Sequence, residues 1–358
     1  MKRIVSSIVH KLRPYFDRLL EEMPDGSLSL YDTELARAAS CCTTGEAAAF
    51  YVLDQVLHGG DGLVVARRLA QDVARRQLPD GAFGQPFYVK KGEPDTVDLA
   101  EVGAVANSLY WVHRTAGSGE AKESLLRSAR YLLTQAVPLH PGAFYKNSNA
   151  LGHDVLNGDM YAAHSLARAF ELTQKEEYRR ATVSVFEHLI SRFGQHEQGW
   201  WPYTELWDGR VGMGNSVSYQ AIIVGFAVTA MRILPEPLQA EWERTAGQAA
   251  KVILRELQAG PGEGNEAPWW CRNWTQVWEI DLALSRFPHL PGAKEYVSKR
   301  LEWAEERLER EGTGLFTPAA AVEAPADRSP VSTTFRKAAT FAGVLAYMML
   351  DESYYGGN

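Results

Sequence analysis

Cysteine is scarce, with three in 358 residues. Cys41 and Cys42 are adjacent, Cys271 stands alone, and no Cys-x-x-Cys occurs. That pattern argues against a disulfide framework and against a structural zinc site. Basic charge is also short: 37 Lys and Arg against 44 Asp and Glu leave a net charge of −7. A nucleic-acid binder would carry a basic patch, so nucleic acid is not an expected partner. No apolar run approaches the ~18 residues of a membrane span. The N-terminus, MKRIVSSIVHKLRPYF, is basic, but its apolar stretch is too short and interrupted for a secretion signal. A cytoplasmic protein is expected. Histidines spaced as HxxxH or HExxH are missing, so no metal site is indicated. Gly-x-Ser-x-Gly and phosphate-loop patterns are missing too, which sets aside serine-hydrolase and nucleotide chemistry.

Aromatic residues, by contrast, are plentiful: ten Trp and fifteen Tyr. They follow a repeat. Gly-x-aromatic or Gly-x-Leu recurs at Gly26-Ser27-Leu28, Gly81-Ala82-Phe83, Gly142-Ala143-Phe144, Gly199-Trp200-Trp201 and Gly314-Leu315-Phe316. The glycines are 55, 61, 57 and 115 residues apart, and the last interval is about two periods. A member is due where Trp269-Trp270 follows the loop GPGEGNEAP. Six periods of about 58 residues account for the whole length. In two copies a Gln lies four residues before the Gly, at Gln77 and Gln195.

Each period holds a polar amphipathic helix, the loop, and a less charged helix. The first helices are expected near 3–22, 62–77, 119–136, 175–194, 236–258 and 291–311. In the fourth, Val183, Val185, Phe186, Leu189, Ile190 and Phe193 mark one face at helical spacing. The second helices, near 32–58, 95–115, 156–173, 214–234, 273–286 and 332–350, are rich in Ala, Ser and Gly and suit packing on both sides. No alternation predicts a sheet. The expected fold is all-α: six helical hairpins closed into one (α/α)6 toroid domain over residues 1–358, with an open solenoid as the alternative. The second helices form the inner ring, and their N-termini face the mouth of a central cavity.

Polar residues at that mouth are the candidates for chemistry. Asp, Asn, Ser and Thr are favoured helix caps, which accounts for Asp32 and Ser332. Asp95 with Asp98, and Asp154 with Asp159, exceed what one cap needs. Two close carboxylates can raise one pKa and hold a proton for general-acid work. His153 lies in a loop that reaches the mouth, and His164 lies within an inner helix. One aromatic per loop (Phe83, Phe144, Trp201, Phe316) serves as a plug. The surplus is expected to line a ligand cavity: Tyr88, Tyr161, Trp200, Tyr203, Trp207, Trp270, Trp274 and Trp278, with Arg272 beside them. Such a cavity suits an isoprenoid, whose cations rest on π faces, or a sugar, which stacks on Trp and reacts between carboxylates.

Two stretches resemble a known family. Asp25-Gly-Ser-Leu-Ser-Leu-Tyr31-Asp-Thr-Glu-Leu-Ala36 is similar to a segment of diterpene cyclases of the copalyl diphosphate synthase type. Gln77-Leu-Pro-Asp-Gly-Ala-Phe-Gly84 resembles the QW-type repeat of the squalene cyclase and prenyltransferase superfamily. That superfamily has the α/α toroid. The resemblance implies a terpene-cyclase-like enzyme, with a mouth aspartate protonating a prenyl or prenyl-diphosphate substrate. Lys90, Lys91, Arg210 and Arg272 would meet a diphosphate, and Mg2+ would enter only with that substrate; no other cofactor is implied. Contact with a membrane surface is compatible with a prenyl substrate. The sequence departs from the family in lacking its DxDD motif and the Asp-x-Cys zinc element of the prenyltransferases. Repeats three and four are also similar to sugar-active toroids such as epimerases and unsaturated-uronyl hydrolases. The alternative is therefore a glycoside hydrolase, lyase or epimerase using Asp154, Asp159 or Glu205, and a third reading is a binding module without catalysis.

Overall fold

The computed structural model describes residues 1–147, 150–260, 277–318 and 327–355, the side chains of 353–355 aside. Twelve α-helices and eight short strands are found among them, and the helices alternate between two classes as the repeat predicts. The chain divides into two compact units, Met1–Ser128 with Ser298–Asn358, and Ala129–Val297.

In the first unit the amphipathic class comprises α1 (Lys2–Asp17), α3 (Gly62–Arg76), the first part of α5 (Gly119–Thr134) and most of α11 (Ala293–Glu311). The second class is α2 (Cys41–His58), α4 (Leu99–Ala116) and α12 (Thr334–Tyr355). α2 packs against both α4 and α12. Small residues permit the approach: a Cβ on Gly45 would sit 3.2 Å from the Cβ of Ser108, and one on Gly343 would sit 2.9 Å from that of Glu46. Buried polar groups then pair, with Ser108 Oγ 2.6 Å from the Tyr347 hydroxyl and Trp111 Nε1 donating to Asp351 at 3.2 Å.

The second unit holds the rest of α5, then α6 (Leu156–Thr173), α7 (Glu176–Arg192), α8 (Val217–Phe226), α9 (Glu236–Ala259), α10 (Glu279–Ser285) and the start of α11. Every residue of α6 from Leu156 to Ala169 is buried, whereas α7 buries one face. α6 packs on α7 and on α8, and α8 packs on α9 and α10. The expected inner helix 214–234 is an α-helix only as far as Phe226 and continues as two 3-10 turns, Ala227–Thr229 and Met231–Ile233.

The loop glycines explain the repeat. Gly142 has φ +90°, and a Cβ there would lie 2.3 Å from the carbonyl oxygen of Ser184 in α7. Gly199 has φ +86°, and its Cβ would meet Val252 of α9 at 2.6 Å. These two loops thus lie directly on the next amphipathic helix, which only glycine allows, whereas Gly26 and Gly314 make no such close approach. The four plug aromatics Phe83, Phe144, Trp201 and Phe316 are buried, at 0%, 3%, 0% and 2% exposure. Gln77 ties its loop by donating to the Gly81 and Ser124 carbonyls. Gln195 does not do this for the fourth loop; it is exposed, and Gln220 takes the role by donating to the Gly199 carbonyl and accepting from Trp201 N–H.

The sheet-free expectation fails locally. β1 (Leu20–Glu22), β2 (Leu28–Asp32) and β3 (Arg37–Ala38) form one antiparallel sheet, β4 (Gly84–Gln85) and β5 (Thr96–Val97) a second, and β6 (His153–Val155), β7 (Thr204–Leu206) and β8 (Val211–Met213) a third. Strands of two to five residues are too short to show an alternating pattern. Asp32 accordingly lies in β2, where it accepts the N–H groups of Glu34 and Leu35, and does not cap α2. Ser40 caps α2 by accepting Thr43 N–H. At the start of α12 the capping hydroxyl is that of Thr333, not Ser332.

Candidate functional site

The candidate site is built where β6 runs into α6. β6 pairs antiparallel with β7, placing His153 opposite Leu206, Asp154 opposite Glu205 and Val155 opposite Thr204. Directly opposed residues share a sheet face, with Cβ atoms ~4.5–5.5 Å apart. α6 begins at once, without a side-chain cap, and its fourth residue is Asp159. The turn returns Asp159 to Asp154. Asp159 Oδ1 accepts the Phe144 N–H at 2.8 Å. His188, from α7, brings Nε2 within 2.7 Å of Asp154 Oδ2 and 3.8 Å of Asp159 Oδ2.

The electrostatics of this corner are unusual. Asp159 is fully buried and Asp154 is 3% exposed. Asp154 Oδ1 and Asp159 Oδ2 are buried with no hydrogen-bond donor on them. Burial, followed by the charge of Asp154, lifts the Asp159 carboxyl well above the ordinary carboxylate range, while the Phe144 N–H works the other way. Asp154, Asp159 and His188 can each offer one ligand atom, all within 4.8 Å of one another, and are the one such cluster among the described residues.

Asp154 and His188 open onto a cavity of about 410 Å³, also lined by Leu139, His140, Pro141, Ser191, Arg192 and the β7–β8 segment Glu205–Gly209. Glu205 accepts from Arg192 Nε at 3.1 Å, and His196 Nε2 lies 2.9 Å from its Oε2. Trp207 stacks on His140, with centroids 4.5 Å apart and planes inclined by 24°. Its indole N–H is fixed on the Leu151 carbonyl at 2.7 Å. One cavity thus joins a flat aromatic platform to a wall of carboxylates.

Of the residues expected from sequence, Asp154, Asp159, Glu205 and Trp207 come together here. The others go elsewhere. Asp95 is held by both terminal nitrogens of Arg37, at 2.8 and 2.7 Å, and Asp98 caps α4 by accepting Ala100 N–H, so this pair has separate structural duties. Tyr88 is exposed under the Arg328 guanidinium. Trp200 is fully buried in the core, and Tyr161 packs inside against His164 and Phe226. His153 sits on β6 at the register position next to Asp154. Tyr203 stacks on Tyr219 with centroids 4.2 Å apart and receives the Lys146 ammonium on its hydroxyl at 3.1 Å. Trp278 is half-buried at the start of α10. Trp270, Arg272 and Trp274 lie outside the described residues. His188, Arg192 and His196 were missed, because α7 reads as an outer scaffold helix. The spacing of four between His188 and Arg192, which puts both on one face of α7, was the available signal, whereas His196 lies in the loop beyond the helix.

No protein-family model matches the chain, and no curated protein matches it. Solved structures do. The cellobiose 2-epimerase of Spirochaeta thermophila is similar with a TM-score of 0.67 at 15% identity, over 98% of each chain. A D-mannose isomerase gives 0.65 at 13% identity, again over 98% of each. An α-1,6-mannanase of Salegentibacter, an inactive variant with two adjacent aspartates replaced and α-1,6-mannotriose bound, gives 0.62 at 12% identity, over 96% of this chain and 99% of that one. The fold is an (α/α)6 toroid. The broad toroid resemblance stands, but the terpene-cyclase reading is overturned, since the structures that match over nearly the whole chain are sugar enzymes. No helix among the described residues is long and apolar enough to cross a membrane.

Proposed function

We propose that the chain is a carbohydrate-active enzyme that binds a sugar in the cavity beside β7 and performs acid–base chemistry on it. The observation that carries this reading is the wall where Asp154 and Glu205 stand opposite each other, beside the Trp207–His140 platform in one cavity. Trp207 offers a flat apolar face to the C–H side of a sugar ring. Arg192, Asp208 and Ser191 offer polar groups to its hydroxyls. The two carboxylates have different partners, which is how a site divides acid from base. Asp154 adjoins Asp159, whose carboxyl is raised well above the ordinary carboxylate range by burial and by the charge of Asp154, and we assign the acid role to this side. Glu205 takes hydrogen bonds from Arg192 and His196 and is the acceptor side. The similar structures, an epimerase, an isomerase and a mannanase, support a sugar as the ligand. Proton transfer of the epimerase or isomerase kind is the reading we favour, because it needs only one acid and one base, which the two opposed carboxylates can supply.

The test is incubation with mannose, glucose and cellobiose in D2O, followed by NMR, with α-1,6-manno-oligosaccharide in parallel. Epimer carrying deuterium at C2, or ketose carrying deuterium at C1, supports the reading. Release of reducing ends from the oligosaccharide moves it to glycoside hydrolysis. If calorimetry shows no sugar binding and no sugar is turned over, the reading is rejected.

A further inference from the structure

Asp154, Asp159 and His188 converge so that one ligand atom from each lies within 4.8 Å of the others. Two of their oxygens, Asp154 Oδ1 and Asp159 Oδ2, belong to side chains more than nine-tenths buried and receive no hydrogen bond. The remaining atoms are already fixed. Asp159 Oδ1 is held by Phe144 N–H, which sets the carboxylate plane and leaves Oδ2 for a ligand, and Asp154 is pinned in register on β6. Outer contacts of this kind orient the groups that hold a metal.

The distances fit as well. A tetrahedral ion with bonds of ~2.0–2.2 Å spaces its ligand atoms about 3.4 Å apart. His188 Nε2 lies 3.8 Å from Asp159 Oδ2, close to this spacing, and 2.7 Å from Asp154 Oδ2, a hydrogen bond that an ion would replace with a wider separation. One imidazole nitrogen with two carboxylates selects a transition-metal dication over Mg2+ or Ca2+, which prefer an all-oxygen shell. Asp154 and His188 line the cavity, so a fourth position is open to water or substrate there.

We infer that Asp154, Asp159 and His188 bind one divalent transition-metal ion, Zn2+ by donor type, with its open position on the sugar cavity. With three protein ligands and one exchangeable position, the ion has the arrangement of a catalytic Zn2+, not a structural one. There it would polarise an oxygen of the ligand. The inference concerns the same wall as the sugar reading but is read out without turnover, so the two fail separately.

The experiment strips the purified chain with chelator, then measures Zn2+ by calorimetry and elemental analysis, with Co2+ as a spectroscopic probe. One Zn2+ per chain and the visible bands of tetrahedral Co2+ are expected. Asp159→Asn and His188→Gln should each weaken Zn2+ at least about a hundredfold, as loss of a ligand exceeds the 10–100-fold cost of losing an outer contact. The Asn side chain can still accept from Phe144 N–H, so Asp159→Asn keeps the loop tied, and circular dichroism checks its fold. Asp95→Asn, at a carboxylate paired with Arg37, should bind Zn2+ as the parent does. Absence of stoichiometric Zn2+ in folded parent protein, or Zn2+ binding that survives both substitutions, overturns the inference. Metal binding with no action on any sugar would leave it standing and reject the sugar reading alone.

Discussion

Asp154 and Glu205 occupy directly opposed positions on β6 and β7, and both line the same cavity. Opposed like charges destabilise a ladder. Here each carboxylate has its own partner from the α7 side: His188 bonds Asp154, and Arg192 with His196 bonds Glu205. Two acids that would otherwise repel are kept side by side, and each has a distinct electrostatic setting.

Glu205→Gln tests the acceptor side. The amide keeps the shape and can still accept from Arg192, so the fold should hold. Loss of a general base costs ~10²–10⁴-fold in rate. The expected outcome is a fall in kcat of that size on whichever sugar is turned over, with an unchanged melting curve. An unaltered kcat would remove Glu205 from the chemistry.

Trp207→Ala tests the platform. The indole is anchored on the Leu151 carbonyl and stacked on His140, so its face is already set before a ligand arrives. Its removal should raise KM about tenfold, roughly 1.4 kcal/mol of binding, and leave kcat nearly as it was. A fall in kcat without a change in KM would place the sugar elsewhere.

Gly142→Ala tests the loop that carries Phe144 to Asp159. The new Cβ would need φ near +90° and would fall 2.3 Å from a backbone oxygen and 2.6 Å from the His188 Cβ. Backbone strain alone costs ~1–3 kcal/mol, and the overlap adds to it. Urea unfolding should show a loss of at least about 2 kcal/mol, within the range of strained positions. Gly209→Ala is a comparison with positive φ but no neighbour within 4 Å, and it should lose less.

Glu101 gives a pH prediction away from the cavity. Its carboxyl is buried in the first turn of α4 and accepts the Cys42 N–H at 3.0 Å. Burial pushes its pKa above the ordinary carboxylate value, and Arg336 only partly opposes this. The folded state therefore holds this proton more tightly than the unfolded chain. The associated stability is fully present below the unfolded pKa and is lost as pH rises through the folded one. Glu101→Gln keeps an acceptor for Cys42 and has no proton to lose. Its stability relative to the parent should rise with pH across that window in urea melts. A constant difference at all pH values would contradict the assignment.

The helices were legible in the sequence for a physical reason. Amphipathic faces such as Val185, Phe186 and Leu189 recur at helical spacing, and all-buried helices such as α6 are built from small and apolar residues. The β6–β7–β8 sheet was not, because three-residue strands carry no period. At the site, Asp154 and Asp159 stood out as a surplus over helix caps. The histidine that joins them did not, since it comes from an amphipathic helix whose apolar face reads as scaffold. Trp200 and Trp201 show a related limit: adjacent and chemically identical, both are core, and only the packing of the loop reveals it.

Asp159 and Gln220 are the fourth residues of α6 and α8, and both accept the N–H of the aromatic that closes the preceding loop, Phe144 and Trp201. As acceptors of that N–H a carboxylate and an amide serve alike, although only Gln220 also donates, to the Gly199 and Ala249 carbonyls. What separates a plain joint from a reactive corner is one ionisable oxygen and a histidine within reach. A modular ring can thus be fitted with chemistry in one module while its neighbour keeps the same joint inert. Gln220→Asp, with a histidine introduced on α9 facing it, is the direct route to building a second corner of this kind.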